Sequence, residues 1–169
     1  MKIVMFYHSL LSDWNHGNAH FLRGIYGSLL KQGHDVKVYE PKDGWSLNSL
    51  KKEYGDRVIT DFQSNFPELQ YNFYDSSNYD LQEMLQGADL VIVHEWNEAK
   101  LVEDIGKFRI LKDFILLFHD THHRAVSAKE EMNRYHLTHY DGILAFGDSL
   151  SKIYKKEGWH HRIWTWHEA

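Results

Sequence analysis

Six short apolar segments constrain the fold of this 169-residue chain more than any other feature of its sequence. They are Ile3–Tyr7, Val36–Tyr39, Leu90–Val93, Phe114–Phe118, Ile143–Phe146 and Ile163–Trp166. Most of them do not alternate with polar residues, and continuous apolar strands are typical of parallel sheets that are buried on both faces. Helix-like segments separate most of them. The sequence therefore predicts an α/β, Rossmann-like fold with a mostly parallel sheet and helices on both faces.

The connections between these segments carry helix signals of different strength. The first has apolar residues at helical spacing, namely Leu22, Ile25, Tyr26, Leu29 and Leu30. Asp80 and Glu83 have the spacing of a capping box, and Asn97 is predicted to cap a helix that reaches about Phe108. The segment Asp43–Asp80 is harder to interpret, and we expect a helix near Leu47–Tyr54 and a seventh strand near Gln70–Tyr74.

Length, charge and composition exclude several classes of protein. The length favours one domain spanning residues 1–169, and 43% hydrophobic residues suffice for a core. A net charge of −5 argues against a nucleic-acid partner, which needs a concentrated basic surface. The absence of cysteine excludes disulfides and thiolate metal sites. No apolar run approaches the length of a transmembrane segment, so we expect no such segment and a cytoplasmic location.

Polar residues follow the apolar segments at the points where the predicted strands end. Ligands of open parallel α/β sheets bind beyond the carboxyl ends of the strands, so these residues are site candidates. The stretch "FILLFHDTHHR" provides one group, and two other strand ends provide the rest. The candidates are His8, His94, Glu95, His119, Asp120, His122 and Arg124.

The loop after the first strand, "SLLSDWNHGNAHFLRG", adds further candidates. It places Asp13, His16, Gly17 and Asn18 before or within the first helical turn. A helix N-terminus presents free N–H groups and suits an anion or an oxygen-rich ligand. Gly17 would allow a ligand to approach the backbone closely.

Three chemistries are compatible with these residues. Glu40 ends the second strand, where a ribose hydroxyl is bound in dinucleotide folds, but the first loop lacks G-x-G-x-x-G. A metal-dependent hydrolase would use His119 and His122 with Asp120, yet these do not form H-E-x-x-H and would need ligands from other loops. Sugar transfer would use the strand-end carboxylates and histidines together with aromatic side chains such as Trp14, Trp96 and Trp166, which follow predicted strands.

The motifs of the chain resemble those of a known family. "MKIVMFYHS" followed by "HGNAHFLRGIYGSLLKQGHDVKVYEP" is similar to the opening of GT-B glycosyltransferases. "HDTHHR", "YDGILAFGDSLSKIYKKEGW" and "RIWTWHEA" resemble the spore-maturation-protein-like group of these enzymes more closely. Together these motifs cover most of the chain outside Asp43–Asp80.

The resemblance implies an acceptor-side, N-terminal domain of a two-domain enzyme that transfers a sugar from a nucleotide-sugar to an acceptor sugar or glycoconjugate. It implies no metal and no cofactor, with the nucleotide-sugar as co-substrate held mainly by a C-terminal donor domain that this chain does not match. We expect the isolated chain to transfer no sugar. Asp120 or His119 is the expected general base if the reaction inverts configuration, and the other candidates would bind substrate. A non-catalytic carbohydrate-binding module is a further alternative.

Overall fold

The computed structural model describes residues 1–14, 17–122 and 124–167. Seven strands follow one another along the chain. They are β1 (Lys2–Phe6), β2 (Asp35–Pro41), β3 (Tyr71–Tyr74), β4 (Leu90–His94), β5 (Ile115–Asp120), β6 (Gly142–Ala145) and β7 (Ile163–Thr165). Every apolar segment of the sequence forms one of these strands, and the strand expected near Gln70–Tyr74 is present as β3.

Helices occupy every connection between the strands. They are α1 (Asn18–Lys31), α2 (Trp45–Tyr54), α3 (Arg57–Asn65), α4 (Leu81–Met84), α5 (Ala99–Arg109), α6 (Arg124–Ser127), α7 (Lys129–Met132) and α8 (Gly147–Glu157). Helix α3 has no counterpart among the sequence predictions. None of the helices in the described part of the chain combines the length and the apolar character that crossing a membrane requires.

The sheet has the order β3-β2-β1-β4-β5-β6-β7, and all its strands are parallel. The direction of the strand order reverses between β1 and β4, which pair with Val4 opposite Val91. The Rossmann-like α/β fold class is confirmed. In such sheets the reversal leaves a crevice at the carboxyl ends of the two strands.

Alternate residues of each strand enter two separate cores. Ile3 and Met5 of β1 belong to the core that contains Leu22 and Tyr26 of α1. Val4 and Phe6 belong to the core on the opposite face, which contains residues of α5 and α8. Helices therefore pack on both faces, and we call these the α1 face and the α8 face of the sheet. Adjacent residues at a strand end project to opposite faces.

Two predicted helix starts have different outcomes. Asp80 caps α4 as expected, because its carboxylate accepts hydrogen bonds from the N–H groups of Gln82 and Glu83. The prediction for Asn97 is wrong, since Glu98 precedes the first residue of α5 and the Asn97 side chain binds elsewhere. The Asn97 side chain donates to the carbonyl oxygens of Phe6 and His94, both at 2.8 Å. It thereby links the carboxyl ends of β1 and β4.

Candidate functional site

A cleft of about 260 Å³ lies at the carboxyl ends of β1 to β4. Its lining combines aromatic rings with groups that form hydrogen bonds: His8, Pro41, Asp43, Gly44, Trp45, Tyr74, Ser76, Trp96, Asn97 and Glu98. This volume is many times that needed to hold one water molecule, so the cleft can hold a small ligand. The cleft lies beside the strand-order reversal, where ligands of this fold class bind.

Two tryptophans form aromatic walls of the cleft. Trp45 begins α2 and is 45% exposed, and its ring meets that of Trp14 edge to face at 5.7 Å. Trp14 is held in turn by a 2.8 Å hydrogen bond from its indole N–H to Glu53. Trp96 follows β4, and the His8 ring lies 5.6 Å from it. These contacts fix both indoles around the space between them.

The base of the cleft is formed by a buried hydrogen-bonded group. The Tyr74 hydroxyl at the end of β3 donates to the amide oxygen of Asn97 at 3.1 Å. The pKa of Tyr74 is raised, first by burial and then by the carboxylates of Glu98, Asp43 and Glu40 and by Tyr79. Tyr74 therefore stays a neutral phenol, and the three carboxylates act electrostatically on this end of the cleft.

The β1–α1 loop is held beside the cleft by two buried charged side chains. One oxygen of Glu40 accepts the N–H groups of Leu10 and Leu11 at 2.7 and 3.0 Å. Arg23 of α1 donates to the carbonyl oxygens of the same two residues. Glu40 is 1% exposed, and burial raises its pKa to about 7 against the opposing effect of these bonds. Glu40 thus supports the loop and is not open to a ribose, which removes the structural basis of the dinucleotide interpretation.

A cluster of rings occupies the α1 face beneath the strand ends. The Tyr7 hydroxyl and His119 Nδ1 are 2.7 Å apart, and the His94 ring lies 5.3 Å from that of His119. His94 Nδ1 accepts the backbone N–H of Trp96, so the proton of the neutral ring lies on Nε2 and is donated to Thr121 at 3.2 Å. Both histidines are fully buried. Burial lowers the pKa of His119 to about 3, so its imidazole is neutral.

Ionic groups occupy the opposite, α8 face. Glu95 is fully buried and accepts an ion-pair hydrogen bond from Arg124, whose guanidinium also stacks on Trp96 at 4.5 Å. Asp120 accepts hydrogen bonds from the Tyr154 hydroxyl at 2.7 Å and from the backbone N–H of His122 at 3.0 Å. Burial raises the pKa of Asp120 to about 6, although both hydrogen bonds oppose the shift.

The structure brings together some of the residues predicted from the sequence and separates others. His8 lines the cleft. His94, Glu95, His119 and Asp120 lie under the strand ends without exposed surface. Neither Asp120 nor His119 lines the cleft, and they project to opposite faces, as their adjacent positions in β5 predict. Their catalytic role stays a prediction.

The candidates of the two flanking loops have other partners. Asp13 is exposed and forms a 3.0 Å ion pair with Arg23. Gly17 precedes α1 with open space around it, and the Asn18 amide donates to Thr121 at 3.3 Å. The His122 ring packs edge to face against Trp96 at 5.1 Å. The prediction for His16 falls outside the described residues.

A second cavity of about 420 Å³ adjoins the cleft on the other side of the β4–α5 loop. It shares Trp96, Asn97 and Glu98 with the cleft and adds Arg124 and Tyr135 to its wall. A larger hollow of about 730 Å³ lies along α1, away from the strand ends. The predicted substrate residue Arg124 therefore lies at the carboxyl edge, with its charge already paired to Glu95.

No three histidine, aspartate or glutamate side chains within residues 1–14, 17–122 and 124–167 are arranged to hold a metal ion. His119 Nδ1 is engaged with Tyr7, and the Asp120 oxygens are engaged with Tyr154 and His122. The described geometry therefore gives no positive support to the hydrolase hypothesis.

Sequence reasoning missed several residues that line the cleft, chiefly Asp43, Trp45 and Glu98. Trp45 and Asp43 lie in the segment whose secondary structure was unclear, so no strand end pointed to them. The signal available in the sequence was Trp45, a tryptophan within a largely polar segment. In the comparisons with known proteins, no family model, no curated protein and no solved structure matches the chain.

Proposed function

We propose that this chain binds a saccharide at the carboxyl edge of its sheet and serves as the acceptor side of a glycosyltransferase. The observation that carries the proposal is the cleft between Trp45 and Trp96, with His8, Asn97 and two carboxylates on its wall. Indole faces pack against the C–H surface of a sugar ring. Imidazole, amide and carboxylate groups bind its hydroxyls. The adjoining cavity has Trp96 as its tryptophan, and a cavity beside β7 lined by Trp164 and Trp166 has no histidine or carboxylate among its described lining residues.

His8 is the histidine best suited to act on a bound acceptor. Glycosyl transfer with inversion requires that the attacking hydroxyl lose its proton to a nearby base. His8 lines the cleft, whereas His119 and Asp120 do not. We therefore extend the proposal to His8 as the group that receives the proton, with Asp120 and His119 kept as the alternatives predicted from the sequence.

The sequence resemblance supports the remaining parts of the proposal. It assigns the nucleotide-sugar to a second domain, so a chain of these 169 residues is expected to bind a glycan and to transfer no sugar. It also supports metal-independent chemistry. The proposed cytoplasmic location fits the absence of cysteine from the sequence. A module that only binds carbohydrate would use the same cleft, and transfer by a longer protein would distinguish the two.

The test is a titration of the chain with neutral glycans and with nucleotide sugars. Binding is monitored by the NMR signals of the tryptophan indole N–H groups. We expect glycans to shift the Trp45 and Trp96 signals, and Trp45→Ala to weaken binding at least tenfold. Trp164→Ala is the matched control, because Trp164 is 50% exposed and lies on β7, away from the cleft. Equal losses in both variants, or no glycan effect on either indole, would contradict the proposal.

A further inference from the structure

The charged groups around the cleft would discriminate among saccharides of different charge. Among the residues that the structure describes, Asp43 and Glu98 line the cleft and no lysine or arginine does. His8 contributes the imidazole of the described lining. The described lining is therefore acidic.

Cations beside the cleft residues in sequence or in the adjoining cavity form ion pairs with other carboxylates. Lys42, next to Asp43 in sequence, forms a 2.5 Å ion pair with Asp75. Arg124 stacks on Trp96 and is paired with the buried carboxylate of Glu95. Lys100 in the first turn of α5 is paired with Asp104. Each of these cations is thus paired with a carboxylate that does not line the cleft, although Lys42 also interacts with Asp43.

The electrostatic effect of these carboxylates reaches the interior of the cleft. After burial, Glu98 contributes most to raising the pKa of the Tyr74 hydroxyl, and Asp43 and Glu40 act in the same direction. Tyr74 lines the cleft together with Trp45 and Trp96. A ligand group beside Tyr74 would experience the same negative potential. The exposed indole of Trp45 would add attraction for a cation, whereas Trp96 already stacks with the Arg124 guanidinium.

Resting on the proposed function, we infer that the cleft binds a saccharide carrying a free ammonium group, an amino sugar, in preference to neutral or acidic sugars. An ammonium would pair with Asp43 or Glu98 and lie against an indole face. A uronate would meet two carboxylates and no unpaired cation. An acetylated amine would lose the charge and keep only its hydrogen bonds.

Three methyl glycosides with the same ring test this inference: methyl glucoside, methyl 6-amino-6-deoxyglucoside and the methyl glycoside of glucuronic acid. They differ only in the group at C6, which is a neutral hydroxymethyl, a cationic aminomethyl or an anionic carboxylate. Affinities are measured at pH 7.5 from the Trp45 and Trp96 indole signals. We expect the amino sugar to bind about twofold to fivefold more tightly per exposed carboxylate that it contacts, and the glucuronide to bind most weakly. Raising the salt concentration should reduce these differences.

Charge variants separate a local effect from the overall net charge of −5. Asp43→Asn combined with Glu98→Gln should abolish the preference for the amino sugar over the glucoside, whatever its effect on glucoside affinity. Asp113→Asn removes one negative charge just before β5, at the amino edge of the sheet, and should leave the preference intact.

The outcomes distinguish the two proposals. If all three glycosides bind equally, or the glucuronide binds best, the inference is overturned while saccharide binding stands. The inference also fails if Asp113→Asn changes the preference as much as the cleft variant does, since the effect would then belong to the net charge. If no glycoside shifts either indole signal, the proposed function itself fails.

Discussion

Two neighbouring residues of β5 show how differently the two faces of the sheet treat ionisable groups. His119 lies among the rings of Tyr7, Phe21 and Trp166 on the α1 face, whereas Asp120 accepts a hydrogen bond from Tyr154 on the α8 face. Burial lowers the pKa of the first to about 3 and raises that of the second to about 6. Desolvation thus favours the neutral form of both, but with opposite dependence on pH.

The faces also differ in how they accommodate charge. At the ends of β4 and β5, described contacts on the α1 face join neutral groups, namely Tyr7 with His119 and His94 with Thr121. The buried Glu40 and Arg23 of the same face bind the backbone of the β1–α1 loop instead. The α8 face contains the buried carboxylate of Glu95, which Arg124 pairs. We expect the α8 face to be more sensitive to the loss of a partner, because an unpaired buried charge costs more than an unpaired neutral group.

The largest effect is expected for Arg124→Leu. The substitution leaves the Glu95 carboxylate buried without its cation, which typically costs about 3–5 kcal/mol of the free energy of unfolding. Urea denaturation measures the loss. Arg134→Leu is the control, since Arg134 is exposed and lines the same cavity, and it should change stability by about 0.5 kcal/mol or less. Adding Glu95→Gln to Arg124→Leu should recover part of the loss. A loss below about 1 kcal/mol for Arg124→Leu would show that the pair is unimportant.

His119→Gln tests the α1 side of the comparison. The folded-state pKa of His119, about 3, lies below its ordinary value of 6.5, so its stabilising contribution is complete above pH 6.5 and is lost as the pH falls towards 3. Between pH 6.5 and 4.5 the wild type should therefore lose about 2 kcal/mol more than the variant. If the free energy of unfolding of the two proteins changed in parallel with pH, protonation of His119 would not destabilise the folded protein.

Asp120→Asn tests the α8 side and should give the opposite sign. The folded-state pKa of about 6 lies above the ordinary 3.8, so the contribution is complete below pH 3.8 and is lost as the pH rises towards 6. From pH 4.5 to 6.5 the wild type should lose about 2 kcal/mol relative to the variant. Glu40 acts in the same direction but is present in both proteins, so it cancels. A difference of the same sign as that of His119→Gln would break the comparison.

Effects that rest on a single hydrogen bond are expected for the two tyrosines that bind these residues. Tyr154→Phe removes a hydrogen bond to a carboxylate and should cost about 1.5–3 kcal/mol at pH 8, where Asp120 is ionised. Tyr7→Phe removes a bond to a neutral imidazole and should cost about 0.5–1.5 kcal/mol. The difference between the stability losses of the two variants should become smaller at pH 5, where Asp120 is protonated in the folded protein. A constant gap would argue against this titration.

The sequence by itself predicted the parts of the fold that depend on local apolar pattern. Each apolar segment forms a strand, because a run such as Leu90–Val93 can bury both of its faces only inside a covered parallel sheet. The same pattern placed His8, His94 and His119 at one edge. It also predicted that His119 and Asp120 project to opposite faces, since successive strand residues alternate.

The tertiary structure decided which polar residues face the cleft and which are buried. Asparagine is a favoured residue at helix N-termini, but the side chain of Asn97 donates instead to the nearby carbonyl oxygens of Phe6 and His94. Trp45 and Asp43 enter the cleft from a segment that has little apolar periodicity. Glu40 supports the β1–α1 loop because Leu10 and Leu11 pass above the end of β2. These arrangements depend on distances between residues far apart in the chain, which local spacing does not encode.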